Sequence, residues 1–175
     1  MTRKAIRRSL IVSGSTLLLF VAASSTTRAQ DASAEPTPEE RVRAAYTKHE
    51  YQIPMRDGAQ LFTAVYAPQD TSRTYPILMF RTPYSVRPYG EDEYRESLGP
   101  SELFQDAGYI FVYQDVRGCF RSDGKFINMT PHAPAEPNPN HVNESTDTYD
   151  TIEWLLENVE RNNGRACHWR IAWMG

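Results

Sequence analysis

Two short runs, Pro76-Ile77-Leu78-Met79-Phe80 and Tyr109-Ile110-Phe111-Val112-Tyr113, are apolar or aromatic throughout, with no polar residue in alternation. A strand with one wet face alternates. A strand without alternation suits burial on both faces, as in a parallel sheet covered by helices. Between the runs, Ser101 can cap a short helix over Glu102–Ala107, and Gly108 suits its left-handed end. Strand, helix and strand in this order predict a βαβ unit with a right-handed crossover.

The flanking segments extend that unit into an α/β domain with a mixed, mostly parallel sheet. Tyr51, Ile53 and Met55 alternate with polar neighbours, and Arg56-Asp57-Gly58 makes a turn. Leu61, Thr63 and Val65 then lie on one side of the next run, with Phe62 and Tyr66 on the other. Two such runs joined through Asp-Gly predict a β-hairpin. Further on, Ser145 or Thr146 can cap a helix whose early Asp147 and Asp150 suit the helix dipole. Tyr149, Ile152, Leu155, Leu156 and Val159 share its apolar face, and Asn162-Asn163-Gly164 should end it. Arg165 to Trp173 is expected to be another strand by its place in the alternation. Pro131 to Asn140, with four prolines, is expected to be a surface loop. The last expected strand has no helix after it, so the sheet is expected to be cut short.

The chain opens with Arg3, Lys4, Arg7 and Arg8 ahead of an apolar stretch from Leu10 to Ala23, followed by small residues up to Ala29. That stretch is shorter than the ~20 residues of a membrane-spanning helix. It predicts a signal peptide over 1–29, with an uncleaved anchor as the alternative. Arg7-Arg8 also fits a twin-arginine start, so either export route suits. Residues 30–47 then form a linker with a brief helix over Glu39–Tyr46, and 48–175 the domain.

Cleavage removes Arg3, Lys4, Arg7, Arg8 and Arg28 from a chain of net charge −3, which takes the mature charge to −8. Such a surface repels phosphates, which argues against nucleic acid or anionic membrane as a partner. Cys119 and Cys167 could pair in an oxidising compartment, but two cysteines make no disulfide framework. No Cys/His spacing resembles a zinc site, and His49, His132, His141 and His168 read as surface or loop residues. No G-x-G-x-x-G or phosphate-binding loop follows either buried run, so no cofactor is expected.

Four segments occur in order: Met55-Arg56-Asp57-Gly58; Arg81-Thr82-Pro83-Tyr84; Gln114-Asp115-Val116-Arg117-Gly118 with Ser122-Asp123-Gly124-Lys125-Phe126; and Asn143-Glu144-Ser145-Thr146-Asp147 through Trp154. Over about Lys48 to Arg165, this set resembles the X-Pro dipeptidyl-peptidase-like hydrolases, the group of cocaine esterase and the α-amino-acid ester hydrolases. The Pro/Asn-rich loop is closer to the latter branch. The resemblance implies the opening part of an α/β-hydrolase domain, with a helical cap and a jelly-roll domain to follow. It implies a Ser-Asp-His triad cleaving small esters or amides through an acyl-enzyme, and assigns Tyr84 as an oxyanion-hole donor. A loop after a buried strand can aim such a phenol over the sheet's carboxyl end. Asp115 is expected to pair with Arg81 or Arg117, while Gly118 and Gly124 suit tight turns. Glu144, Asp147 and Asp150 are expected to serve helix capping and a salt bridge to a loop arginine.

The resemblance breaks after Arg165. Where the family has a G-x-S-Y-x-G nucleophile elbow, the chain reads Arg170-Ile171-Ala172-Trp173-Met174-Gly175, so Ala172 occupies the nucleophile position. The triad Asp and His follow the serine in such folds and are absent from the chain. So abrupt a change suggests a shifted frame, a sequencing error or a decayed gene. The expectation is an exported hydrolase fragment without turnover. The alternative is a small secreted binding module that reuses half the fold.

Overall fold

The computed structural model describes residues 35–128 and 141–169. The leader, the Pro131–Asn140 loop and Ala172 lie outside the described residues. Thr37 caps helix α1 (Pro38–Ala45): its hydroxyl accepts from the Glu40 N–H, and the Glu40 carboxylate accepts from the Thr37 N–H at 2.7 Å. The helix ends one residue before the expected Tyr46 because that ring is drawn into the core, 5.7 Å from Phe111.

The hairpin forms as expected, between β1 (Tyr46–Pro54) and β2 (Gln60–Pro68), in register from Tyr46 opposite Pro68 to Pro54 opposite Gln60. Strand β3 (Tyr75–Thr82), helix α2 (Glu102–Ala107) and strand β4 (Ile110–Asp115) build the βαβ unit, with Ile77 opposite Ile110 and Thr82 opposite Asp115 in parallel register. Helix α2 keeps the expected bounds, and Gly108 ends it at φ +75°, although Ser101 makes no side-chain capping bond. Helix α3 (Glu144–Asn158) and strand β5 (Asn162–His168) complete a sheet of order β1-β2-β4-β3-β5. The sheet is mixed: β1, β2 and β4 run antiparallel in turn, while β4, β3 and β5 are parallel.

Both faces of the central strands are buried. On one face Ile53, Leu61, Val65, Ile77, Met79, Ile110 and Val112 pack under Leu155 and Val159 of α3. On the other, Phe62, Tyr66, Leu78, Phe111 and Tyr113 pack under Val42 of α1 and under Val86 and Leu98. The second face is therefore covered largely by the excursion between β3 and α2, which is stapled from beneath. The buried Lys48 ammonium donates to the carbonyls of Pro88, Gly90 and Glu93 at 2.7–2.9 Å and pairs with Glu50 at 2.9 Å.

Three expectations for α3 and β5 are corrected. Asn143, in extended conformation, caps α3 instead of Ser145 or Thr146. Its carboxamide oxygen accepts from the Ser145 and Thr146 N–H groups, while the Thr146 hydroxyl accepts from the Asn143 N–H. Tyr149 is exposed rather than on the buried face, because Asp147 and Thr151 turn inward to polar partners on and beside β4. Helix α3 ends at Asn158 with Val159 as its C-cap, ahead of Asn162-Asn163-Gly164; Asn162 donates back to the carbonyls of Leu156 and Val159 and already starts β5, three residues before Arg165. Strand β5 pairs with β3 through an irregularity between Tyr75 and Ile77. Cys119 is half-buried, Cys167 is exposed, and both are free thiols. Among the described residues no helix is long and apolar enough to cross a membrane.

The tyrosine-rich face sets an alkaline limit. Burial pushes the Tyr46 phenol up to about 12 and raises Tyr66 and Tyr113 as well. These groups contribute stability that is complete below the unfolded tyrosine value of 10 and is lost as pH rises through the folded values. Lys48 acts oppositely: burial lowers its pKa, with Glu50 pulling back, so its contribution grows as pH climbs toward 10.5. Three tyrosines against one lysine predict a thermal midpoint that falls from pH 10 to about 12. A midpoint flat across that window by circular dichroism would contradict the packing described for this face.

Candidate active site

The parallel strands β4, β3 and β5 end together, and the loops leaving them surround one end of the sheet. In open α/β sheets, this carboxyl end is where ligands bind. Beneath it runs a buried polar line. Arg81 Nε donates to Gln114 Oε1 at 2.6 Å, and Gln114 Nε2 donates to Thr63 and Thr151 at 2.9 and 3.0 Å. Arg81 also donates to the Glu144 carbonyl at 3.0 Å and to Thr148 at 2.5 Å. Strands β2, β3, β4 and helix α3 are thus joined where apolar packing gives way to the site. Buried polar groups are tolerated there because each has a partner.

Arg117, in the turn after β4, clamps two carboxylates. It donates to Asp147 from Nε and Nη2 at 2.9 and 2.7 Å, and to Asp57 from Nη1 and Nη2 at 2.8 and 3.1 Å. The hydrogen bonds to Asp147, outweighing burial and aided by Asp57, raise the guanidinium's pKa further. For Asp57, burial pushes upward but the bond from Arg117 prevails and holds its carboxyl below the usual range. Asp150 pairs likewise with Arg56 at 2.6 Å. The structural role expected for Asp147 and Asp150 is therefore observed. Glu144 contributes its carbonyl to Arg81.

Asp115 departs from expectation, pairing with neither Arg81 nor Arg117. Each of those arginines is engaged elsewhere, and the Asp115 carboxylate turns toward the loop after β3. There it accepts from the Val86 N–H at 3.0 Å and the Tyr89 hydroxyl at 2.9 Å, and from the Arg121 N–H at 3.4 Å. Burial raises its pKa against these hydrogen bonds.

Tyr84 is 72% exposed on that same loop. Its N–H donates to the Thr82 hydroxyl at 3.1 Å, which fixes the first step of the chain out of β3. Ser85 follows at φ +77°, a conformation that redirects the backbone sharply. Tyr84 thus sits two residues past the carboxyl end of β3 with its side chain largely exposed. His168 lies close by, lining with Pro83, Val116 and Phe126 a recess of about 70 Å³. A larger cavity of about 310 Å³ has Val116, Phe126, Ile127 and Val142 as its apolar wall, beside the Arg117 clamp. Among the described residues no cluster of His, Cys, Asp or Glu is arranged to hold a metal ion.

Both turn glycines were legible in the sequence, and Tyr84, singled out there, lies on the loop leaving β3. Gly118 has φ +71° and Gly124 φ +91°. Sequence reasoning missed the Gln114 line and the bond from Tyr89 to Asp115. The available signal was the polar pair Gln114-Asp115 closing an otherwise apolar strand.

Residues 57–175 match the family described as X-Pro dipeptidyl-peptidase (S15 family). Cocaine esterase of Rhodococcus sp. (strain MB1 Bresler) is 33% identical over 111 residues, 60% of this chain and 16% of that protein. The crystal structure of an aminopeptidase from a marine sediment archaeon, Thaumarchaeota archaeon, is 36% identical with a TM-score of 0.56, covering 71% of this chain and 21% of that one. An α-amino acid ester hydrolase structure is 30% identical with a TM-score of 0.58, covering 85% and 24%. The chain thus spans about a quarter or less of these relatives.

Proposed function

The chain belongs to the X-Pro dipeptidyl-peptidase family, and on that premise we propose that it supplies the oxyanion-donating side of a serine-hydrolase site for small esters or amides. Tyr84 is the donor. The attack of a serine on the substrate carbonyl puts negative charge on the carbonyl oxygen, and a phenol O–H already aimed there stabilises that charge without reorganising. Such a donor is worth about 2.7–4 kcal/mol of barrier. The observation that carries the reading is the position of Tyr84, exposed on the loop leaving β3 with its N–H held by Thr82.

The three relatives support the same chemistry. An esterase, an aminopeptidase and an ester hydrolase each act on an ester or amide carbonyl. Residues 1–175 by themselves have no turnover, because Ala172 stands at the nucleophile position and alanine has no nucleophilic atom. The site works outside the cytoplasm, after removal of the leader.

Two measurements test this. Purified 1–175 should release no p-nitrophenol from p-nitrophenyl acetate above the buffer rate. Residues 46–169 grafted in place of the matching segment of the α-amino acid ester hydrolase should restore turnover. In that hybrid, Tyr84→Phe should lower kcat by about 10²–10³-fold with KM little changed. A folded, active hybrid indifferent to Tyr84→Phe would refute the assignment.

A further inference from the structure

Tyr84 leaves its loop one residue before Ser85, whose φ of +77° is unusual for a side chain with a Cβ. Something must hold that conformation. The Ser85 hydroxyl lies 2.9 Å from the Tyr89 hydroxyl. Tyr89 in turn donates to Asp115 Oδ2 at 2.9 Å, and Val86, on the other side of Ser85, donates its N–H to Asp115 Oδ1 at 3.0 Å. The carboxylate is fully buried at the end of β4 and is itself tied to the following loop by the Arg121 N–H. The Arg121 guanidinium stacks 4.2 Å over the Tyr89 ring, and Phe62 meets that ring edge-on at 5.1 Å.

We propose that Asp115 and Tyr89 are positioning residues for Tyr84, together locking Ser85 in its left-handed conformation and so setting the direction in which the Tyr84 phenol points. This rests on the reading of Tyr84 as the oxyanion donor, because direction matters only if the phenol must meet a developing charge. The direction of the hydrogen bonds follows from the acceptor. An ionised Asp115 can only accept, so Tyr89 donates to it and the Ser85 hydroxyl donates to the Tyr89 oxygen. Ser85 also accepts from the Arg87 N–H at 3.3 Å, a second contact on the same hydroxyl. The arrangement superficially resembles a nucleophile with a relay. Burial, reinforced by the neighbouring Asp115, raises the Tyr89 pKa against the bond from Ser85, so the phenol stays protonated and is no base for Ser85.

The test places 3-fluorotyrosine at position 84 of the full chain and records its fluorine resonance. Unsubstituted elsewhere, the chain should give one line shifted from the random-coil position. Tyr89→Phe, which keeps the ring packed against Phe62 and Arg121, should abolish that single line in favour of the random-coil position or several lines. Asp115→Asn should do the same. Leu155→Val, on the opposite face, should lower the thermal midpoint and leave the line in place. In the hybrid enzyme, Tyr89→Phe should lower kcat toward the Tyr84→Phe level with KM little changed. An unmoved single line in Tyr89→Phe and Asp115→Asn chains of native circular dichroism would overturn the proposal. The fluorine line reads the phenol's direction whether or not Tyr84 serves an oxyanion, so failure of the catalytic assignment would show separately, as a moved line with unchanged kcat.

Discussion

Arg117→Met should lower the folding free energy of the chain by about 3–5 kcal/mol, the cost of leaving a buried charge without its partner. The exposure of the side chains decides this. Asp147 is 3% exposed and Arg117 is 16% exposed, so solvent cannot replace the lost guanidinium at Asp147. Asp57, at 27%, can turn to water and should matter less. Arg81 lies 4.0 Å from Asp147 and offsets part of the loss. The companion substitution Asp147→Leu removes the stranded carboxylate. The double variant should therefore be more stable than the sum of the two single losses predicts. Urea unfolding of the four chains measures each term. A loss below about 1 kcal/mol for Arg117→Met, the range of exposed ion pairs, would mean that the clamp is a surface feature.

Gly118→Ala should cost about 2–5 kcal/mol, because two penalties coincide. A left-handed backbone with a Cβ costs about 1–2 kcal/mol, and Gly118 has φ +71°. Overpacking costs about 1–3 kcal/mol more. The added methyl would lie 2.0 Å from the Phe126 nitrogen and 2.4 Å from the Lys125 carbonyl carbon. Both are backbone atoms and cannot rotate away, and the Gly118 N–H is itself bonded to the Asp123 carbonyl at 2.8 Å. Gly58→Ala is the control. Its φ is +87° but nothing lies within 4 Å of the added atom, so only the conformational penalty of about 1–2 kcal/mol applies. Equal losses at the two positions would show that the 118–126 loop can open without cost. The same loop carries Phe126 into both cavities beside the site, so a displaced loop should also reshape them.

Local sequence was sufficient for elements whose partners lie close along the chain. The Asp57-Gly58 turn makes the hairpin because its ends are six residues apart, at Pro54 and Gln60. Ser101 to Gly108 delimits α2 because helix ends are decided within one turn. The unalternating runs at 76–80 and 109–113 marked the central strands, since burial on both faces leaves no polar position to vary. The assignment of Tyr84 rests on an ordered set of motifs rather than on any local periodicity, and remains a proposal.

What tertiary structure decided was where long polar side chains end. Arg117 reaches Asp57, 60 residues away, and Asp147, 30 away, while Asp115 turns from the nearby arginines to Val86 and Tyr89. The inward face of α3 was displaced for the same reason: Gln114 and Arg117 drew Thr151 and Asp147 toward β4 and left Tyr149 in water. Apolar burial depends on spacing along the chain, which the sequence displays. The pairing of charges depends on which segments the sheet order β1-β2-β4-β3-β5 brings together, because a buried charge must find a partner among whatever groups lie within its reach.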